Sequence, residues 1–222
     1  LDPLCFMLIY VFMFGYVFKS KQQYFAIFVF IGITLWDFFN KSLIQSVKLI
    51  KANKPIVSKV YIPKFILILV KMGVNGFKMF ISLLIIVAML AVWRVPITYN
   101  VIYIIPILMT LIVLVFGFSC FLLHYGVFVE DLSNVLNIAL RFLFYLTGIF
   151  WNIMDRLPAP YNSYIGRCNP IAFLLTSARD CVIYGSTPHR KLLLLWFVIG
   201  LIISALGVRK IYKNENSYVK VI

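Results

Sequence analysis

The chain has 222 residues, of which 63% are hydrophobic and 13% charged, with a mean hydropathy of +0.99. Soluble domains run about 45–50% apolar, so a soluble globular class is excluded, and the length leaves room for several membrane spans of about 20 residues each. The net charge of +14 would suggest nucleic acid in a soluble protein, but here the basic residues flank apolar blocks, where topology and anionic headgroups account for them.

The sequence begins at Leu1-Asp2-Pro3 without a Met or a cleavable signal, which reads as the loss of an N-terminal piece. A first span falls at about 4–18, with Phe6, Tyr10, Phe14 and Phe18 at intervals of four on one face. A second covers about 24–39, with Trp36 near an interface. Between Asn40 and Lys64 lie six lysines and no acid. An excess of Lys and Arg in a connecting segment marks the cytoplasmic side, and this placement sets the rest of the topology. Within the segment, Leu43, Ile44, Val47 and Ile50 recur on one helical face. Pro55 then breaks the pattern, and Ile56-Val57 with Val60 form a second short apolar surface before Pro63. Two readings stand: an amphipathic loop lying on lipid, or a docking element for a soluble partner.

The next apolar block, 65–93, is too long for one perpendicular span. Lys64, Lys71 and Lys78 share a face, and Gly73, Asn75 and Gly76 weaken the helix, so the membrane portion is expected at about 73–93. Lys78 either snorkels to the interface or faces a wet cavity. A fourth span is expected at about 101–123, softened at Pro106, and then a short inner turn from His124 to Ser133 carries Glu130 and Asp131. The fifth span, about 134–151, contains Arg141. From Asp155 to Lys191 the composition is mixed. Asn169-Pro170 is a helix start, Asn capping free N–H groups and Pro fitting the first turn. The helix it opens, interrupted by Arg179-Asp180, is too short to cross, so a pair of short re-entrant or surface-lying helices on the outer side is expected. A sixth span at about 192–208 ends at Arg209-Lys210 and a basic tail. The fold class is therefore all-α integral membrane, six transmembrane helices with both termini inside.

The motifs of catalysis are missing. No GxxxxGK[ST] occurs, so ATP is not held through a P-loop in this chain, and GxSxG and HExxH are also absent. Glu130 and Asp131 would diverge by about 100° on a helix and make a poor acid/base pair. The four cysteines, at 5, 120, 168 and 181, lack metal-ligand spacing. Cys168 and Cys181 read either as an outer-side disulfide or as two free thiols. No metal site and no bound cofactor is expected in the chain.

Six spans, an inner basic loop with Asn53-Lys54-Pro55-Ile56-Val57-Ser58-Lys59 and Ile62-Pro63, an Asp131-Leu132 turn, and an outer helical pair with Asn169-Pro170 and Arg179 follow one another in order. This arrangement resembles the membrane (permease) subunit of bacterial ABC exporters of lipid-linked polysaccharide, O-antigen or wall teichoic acid, over nearly the whole chain. Glu130 departs from the basic residue common in that family, and the amphipathic interface helix expected before span one is absent. The resemblance implies a multi-pass protein of the bacterial cell membrane that works as a homodimer with two separate ATPase subunits, which would bind ATP and Mg. It implies that Asn53, Lys54, Pro55, Ile56, Val57 and Lys59 form a coupling helix between spans 2 and 3. It also implies that Phe6, Tyr10, Phe14, Arg141, Tyr145 and Trp151 line a channel for a lipid-linked glycan, and that Asn169, Pro170 and Arg179 belong to an outer gate. A permease for drugs or small lipids is the alternative within the superfamily, and an integral-membrane transferase on lipid-linked sugars the alternative outside it.

Overall fold

Long runs of Leu, Ile, Val and Phe with few internal prolines leave the backbone one economical way to satisfy its own polar groups in an apolar medium, which is the helix. A computed structural model describes residues 8–9, 12, 24–57, 59, 62–151 and 166–221. Among these residues the order is α1 (Phe25–Val47), α2 (Leu49–Ala52), α3 (Lys54–Val57), α4 (Lys64–Val92), a 3-10 turn (Tyr99–Tyr103), α5 (Ile104–Phe128), α6 (Leu132–Leu146), α7 (Pro170–Val182) and α8 (Arg190–Val221), with no strand. Four helical stretches are long and apolar enough to cross a membrane: Phe25–Val47, Lys64–Val92, Tyr99–Phe128 and Arg190–Glu215; Leu132–Leu146 is a shorter apolar helix. The expected first span lies almost entirely outside the described residues.

The helices are longer than the apolar runs that suggested them. α1 continues past 39 through Asn40, Lys41 and Ser42 to Val47, because Leu43, Ser46 and Val47 stay buried. α4 runs unbroken from Lys64 through Gly73, Asn75 and Gly76. The cost of a helical Gly, about 1 kcal/mol, is small against the burial of Ile68, Met72 and Met79. Pro106 does not soften a span; it sits in the first turn of α5, where a missing N–H is tolerated. The expected turn from His124 to Ser133 shrinks to 129–131, and His124 is helical. Arg209-Lys210 does not end α8, since neither residue is a helix breaker.

The chain forms two compact units. The first comprises Leu1–Asp37, Lys78–Leu108 and Leu143–Leu193. Its described core joins Phe28, Ile31 and Leu35 of α1 to Ile86 and Leu90 of α4 and to Ile171, Leu174, Leu175 and Ala178 of α7. Trp36 meets Phe144 edge-on at 5.5 Å, and Phe144 meets Phe150 at 5.4 Å. An apolar cavity of about 140 Å³ opens among Ile31, Leu83, Ile86, Leu90, Ile104 and Val182. At the far turn, Gly185 adopts φ +63 beside Thr98, and its carbonyl accepts from Asn100 Nδ2.

The second unit comprises Phe38–Phe77, Met109–Phe142 and Leu194–Ile222. Small residues let its helix backbones approach: Gly117 lies on Ser204, Gly207 on Cys120, and Ser204 Oγ donates to the Val113 carbonyl at 2.9 Å. Close approach through Gly and Ser is the usual way for membrane helices to associate. Asn75 of α4 is buried, its Nδ2 donating to Ser42 Oγ and Gln45 Oε1 of α1, each at 3.1 Å. The last turns of α8 close this unit. Lys64 and Glu215 are 3.3 Å apart, Phe65 meets Tyr212 at 5.7 Å between ring centroids, and Tyr218 OH lies 2.8 Å from His124 Nδ1.

Candidate functional site

Among the described residues, those singled out from the sequence gather chiefly at two places, one in each unit. In the second unit, α1 breaks at Lys48, and the chain makes two short helices before α4. Asn53 closes α2, its Nδ2 donating to the Leu49 carbonyl at 2.8 Å, and its own carbonyl accepts from Val57 N at 3.0 Å. The apolar side chains turn inward: Leu49, Ile50 and Val57 are buried. Lys48, Lys51, Lys54, Pro55 and Lys59 are exposed. The result is a basic ledge seated on an apolar footing, which suits an acidic or mixed-charge protein surface. The expected knob of Ile56-Val57 is corrected in one half, since Val57 is 6% exposed and packs into its own unit. The Ile56 side chain lies outside the described residues.

In the first unit, α7 begins with Asn169, whose Oδ1 accepts from Ile171 N at 3.1 Å and Ala172 N at 3.3 Å, with Pro170 in the first turn. The Asn-Pro pair thus acts as the sequence predicts. Asn169 Nδ2 also reaches Thr147 Oγ1 at 3.4 Å, tying the start of α7 to the chain just after α6. The helix runs through Arg179-Asp180 without interruption, and its 13 residues span about 20 Å. It stays regular because Arg179 spends its charge inward. Nε donates to the Phe28 carbonyl at 3.1 Å, Nη1 to Gly148 at 2.9 Å and Nη2 to Ile149 at 2.7 Å. The guanidinium carbon lies 3.5 Å from the centroid of the Phe28 ring. Gly32 of α1 leaves the space that the guanidinium fills, and Gly148, at φ +67, turns its carbonyl toward it. A planar fork with five donors is the one side chain able to reach three separate carbonyls in this way. Arg179 is therefore a buried strut linking α7, α1 and the residues after α6, not a group facing a passing polymer.

Burial raises the Asp180 carboxyl to about 6, with Arg179 and His189 pulling the other way. A carboxylate whose folded value lies above its unfolded value favours the fold when protonated. This contribution is complete below about 4 and is lost as pH rises through about 6. Amide exchange across Pro170–Val182 is expected to slow by up to about tenfold between pH 7 and pH 5 after correction for intrinsic rates. Asp180→Asn should flatten that profile; an unchanged profile in the variant would assign the effect to another group.

A family model for the ABC-2 type transporter matches residues 1–183. The chain belongs to the ABC-2 type transporter membrane family. Two relatives from Klebsiella pneumoniae, each named O-antigen export system permease protein RfbA, are 24% identical over 222 residues, covering all of this chain and 85% of their own length. With its long apolar helices, this ABC-2 transporter chain is a multi-pass protein of the cell membrane and a transport permease.

In this ABC-2 permease the residues singled out from the sequence fall in separate places. Lys54, Pro55 and Lys59 share the exposed basic ledge, with Asn53 beside them and Val57 in the buried footing. Phe6, Tyr10 and Phe14 lie outside the described residues. Arg141 and Tyr145 are exposed on α6, on the side that also carries Val135, Ile138 and Phe142. Trp151 is half-buried and lies past the end of α6 at Leu146, not within a span reaching 151. Asn169 and Pro170 open α7, and residues 152–165, where a first helix of the outer pair is expected, lie outside the described residues. Among the described residues, Cys120, Cys168 and Cys181 are free thiols, so the disulfide reading for Cys168 and Cys181 falls, and no group of His, Cys, Asp and Glu could hold a metal ion. Lys64 is buried against Glu215 while Lys71 and Lys78 are exposed, so the three lysines do not act as one row.

Sequence reasoning missed the strut of Arg179 and the closing turns of α8. An apolar run on both sides of Arg179, from Ile171 to Ile183, was the available signal for the first. For the second, the signal was slight: Glu215 and Tyr218, three apart, share a helix face, and both are buried.

Proposed function

We propose that this chain is one of two identical permease subunits that carry a lipid-linked polysaccharide, of the O-antigen or wall teichoic acid kind, from the cytoplasmic to the outer side of the membrane. ATP hydrolysis takes place in two separate ATPase subunits, which hold the nucleotide and Mg; no cofactor is bound by the permease itself. The full set is six spans, with α2 and α3 facing the cytoplasm as the coupling element and α7 as part of an outer gate. The observation that carries the reading is the exposed basic ledge of Lys51, Lys54, Pro55 and Lys59 between two membrane-length helices. The family match and relatives named as O-antigen export permeases support the substrate class. The exposed α6 face supports the second copy: a guanidinium such as Arg141 on a membrane helix needs water or a counter-charge, and the hydrocarbon core of a bilayer provides neither. A channel between two protomers provides both, and Tyr145 on the same face offers a ring for sugars to stack on.

Lys54→Glu with Lys59→Glu cancels the ledge charge, setting two carboxylates beside Lys48 and Lys51, and leaves the buried Leu49, Ile50 and Val57 in the sequence. Co-purification with the partner ATPase is expected to fall at least about tenfold, since like-charge juxtaposition across an interface costs several kcal/mol. Membrane insertion should be unchanged. Normal assembly of the doubly reversed protein would overturn the docking role. Stimulation of the ATPase by small amphiphiles instead of lipid-linked glycan would transfer the chain to the drug or small-lipid exporters.

A further inference from the structure

The final turns of α8 rest on the residues that the chain reaches as it leaves the basic ledge. Lys64 is the first residue of α4, five positions beyond Lys59, and it is 2% exposed. Its ammonium lies 3.3 Å from the Glu215 carboxylate and donates to the Ile62 carbonyl at 3.0 Å, so one cation ties the C-terminal helix to the linker itself. Phe65 and Tyr212 pack beside this pair. One turn on, Tyr218 is fully buried and meets His124 of α5. Lys210 Nζ donates to Tyr125 OH at 2.6 Å. The segment from 210 to 218 thus grips both the start of α4 and the end of α5.

Burying two charges gives back in Coulomb energy little more than it takes in desolvation, and apolar residues of similar volume often serve stability better. The best-attested use of such a pair is to fix one arrangement against its neighbours. What Lys64–Glu215 fixes is the point where the ledge joins α4.

We propose that Lys64 and Glu215 form a latch by which the C-terminal turns of α8 hold the two short helices of Leu49–Val57 in their docking position. They are positioning residues, acting on the ledge through the Ile62 carbonyl and the first turn of α4. The consequence for ATPase binding rests on the function proposed above; the latch itself does not.

Hydrogen exchange on the full chain in detergent, without ATPase, tests the latch directly. Glu215→Gln is expected to speed exchange across 49–57 at least about tenfold while Pro170–Val182 stays unchanged. The exchanged pair Lys64→Glu with Glu215→Lys keeps the ion pair but loses the donor to the Ile62 carbonyl, so it should restore the rates in part. Unchanged exchange in Glu215→Gln would overturn the latch. So would a rise shared equally by Pro170–Val182, or a swap that restores nothing, because each points to general stability instead of position. A second arm reconstitutes the permease with its partner ATPase: Glu215→Gln should weaken ATPase binding about tenfold while leaving turnover in the assembled complex unchanged, and the swap should recover part of the binding. If exchange responds as stated but ATPase binding is the same in wild type, single variant and swap, the latch stands and the docking role of the ledge falls.

Discussion

Arg179→Ala is expected to release α7 from the first unit. The substitution takes the donor from the carbonyls of Gly148 and Ile149, while that of Phe28 keeps only its bond within α1. An unsatisfied buried polar group costs about 1–3 kcal/mol, and a cavity forms between the Phe28 ring and Gly32. A loss of about 3–5 kcal/mol is the expected scale. It should be read as faster amide exchange across Pro170–Val182 and as a lower thermal midpoint in detergent. Arg179→Lys should recover little, because an ammonium on a flexible stem cannot bridge three carbonyls in one plane. A Lys variant equal to wild type would show that charge alone, not the fork, holds the helix. Gly32→Ala attacks the same joint from α1, since its new methyl would stand where Nη2 now lies. Combined with Arg179→Ala it should cost less than the sum of the two, because the clash vanishes once the guanidinium is gone.

The second large effect is expected at Gly126. A Cβ there would meet the carbonyl oxygen, carbonyl carbon and Cα of Val47, which are all backbone, so no side chain can rotate away. Gly→Ala inside a helix ordinarily gains about 1 kcal/mol from propensity. Here overpacking of about 1–3 kcal/mol should outweigh it, and Gly126→Val should be worse. Gly73 in α4 is the control, because nothing lies within 4 Å of a Cβ built on it. Gly73→Ala is expected to raise the thermal midpoint slightly. If Gly126→Ala also raised it, the end of α1 and α5 would not approach as closely as described.

How far the sequence foretold these features depends on the physics at each one. Class and helix content followed from hydropathy, because an apolar medium leaves the backbone no other option. The cap at Asn169-Pro170 was legible since capping is decided within three residues. Helix ends were not: α1 passes through Asn40-Lys41 and α8 through Arg209-Lys210, because helix propensity is indifferent to hydropathy and tertiary packing covers the polar turns. The basic ledge was visible as composition, but its division into exposed Lys54 and buried Val57 depends on which neighbours the segment lies against. Arg179 ran against expectation for the same reason. A charged residue is taken as exposed unless paired, and its acceptors come from residues 30 and 151 positions away. Arg141 illustrates the converse: its exposed position on α6 followed no apolar pattern, since that face also carries Ile138 and Phe142.

The hydrogen bonds from Asn75 to Ser42 and Gln45 set a limit on motion. Two greasy rods in contact can slip along one another at small cost, whereas an amide pegged to two oxygens must break both bonds to move by one turn, about 5.4 Å. A slide of α1 along α4 therefore costs both bonds, where a small pivot about the peg can keep them. Any conformational cycle of this permease that alters their relation should be a rocking movement with its fulcrum at Asn75.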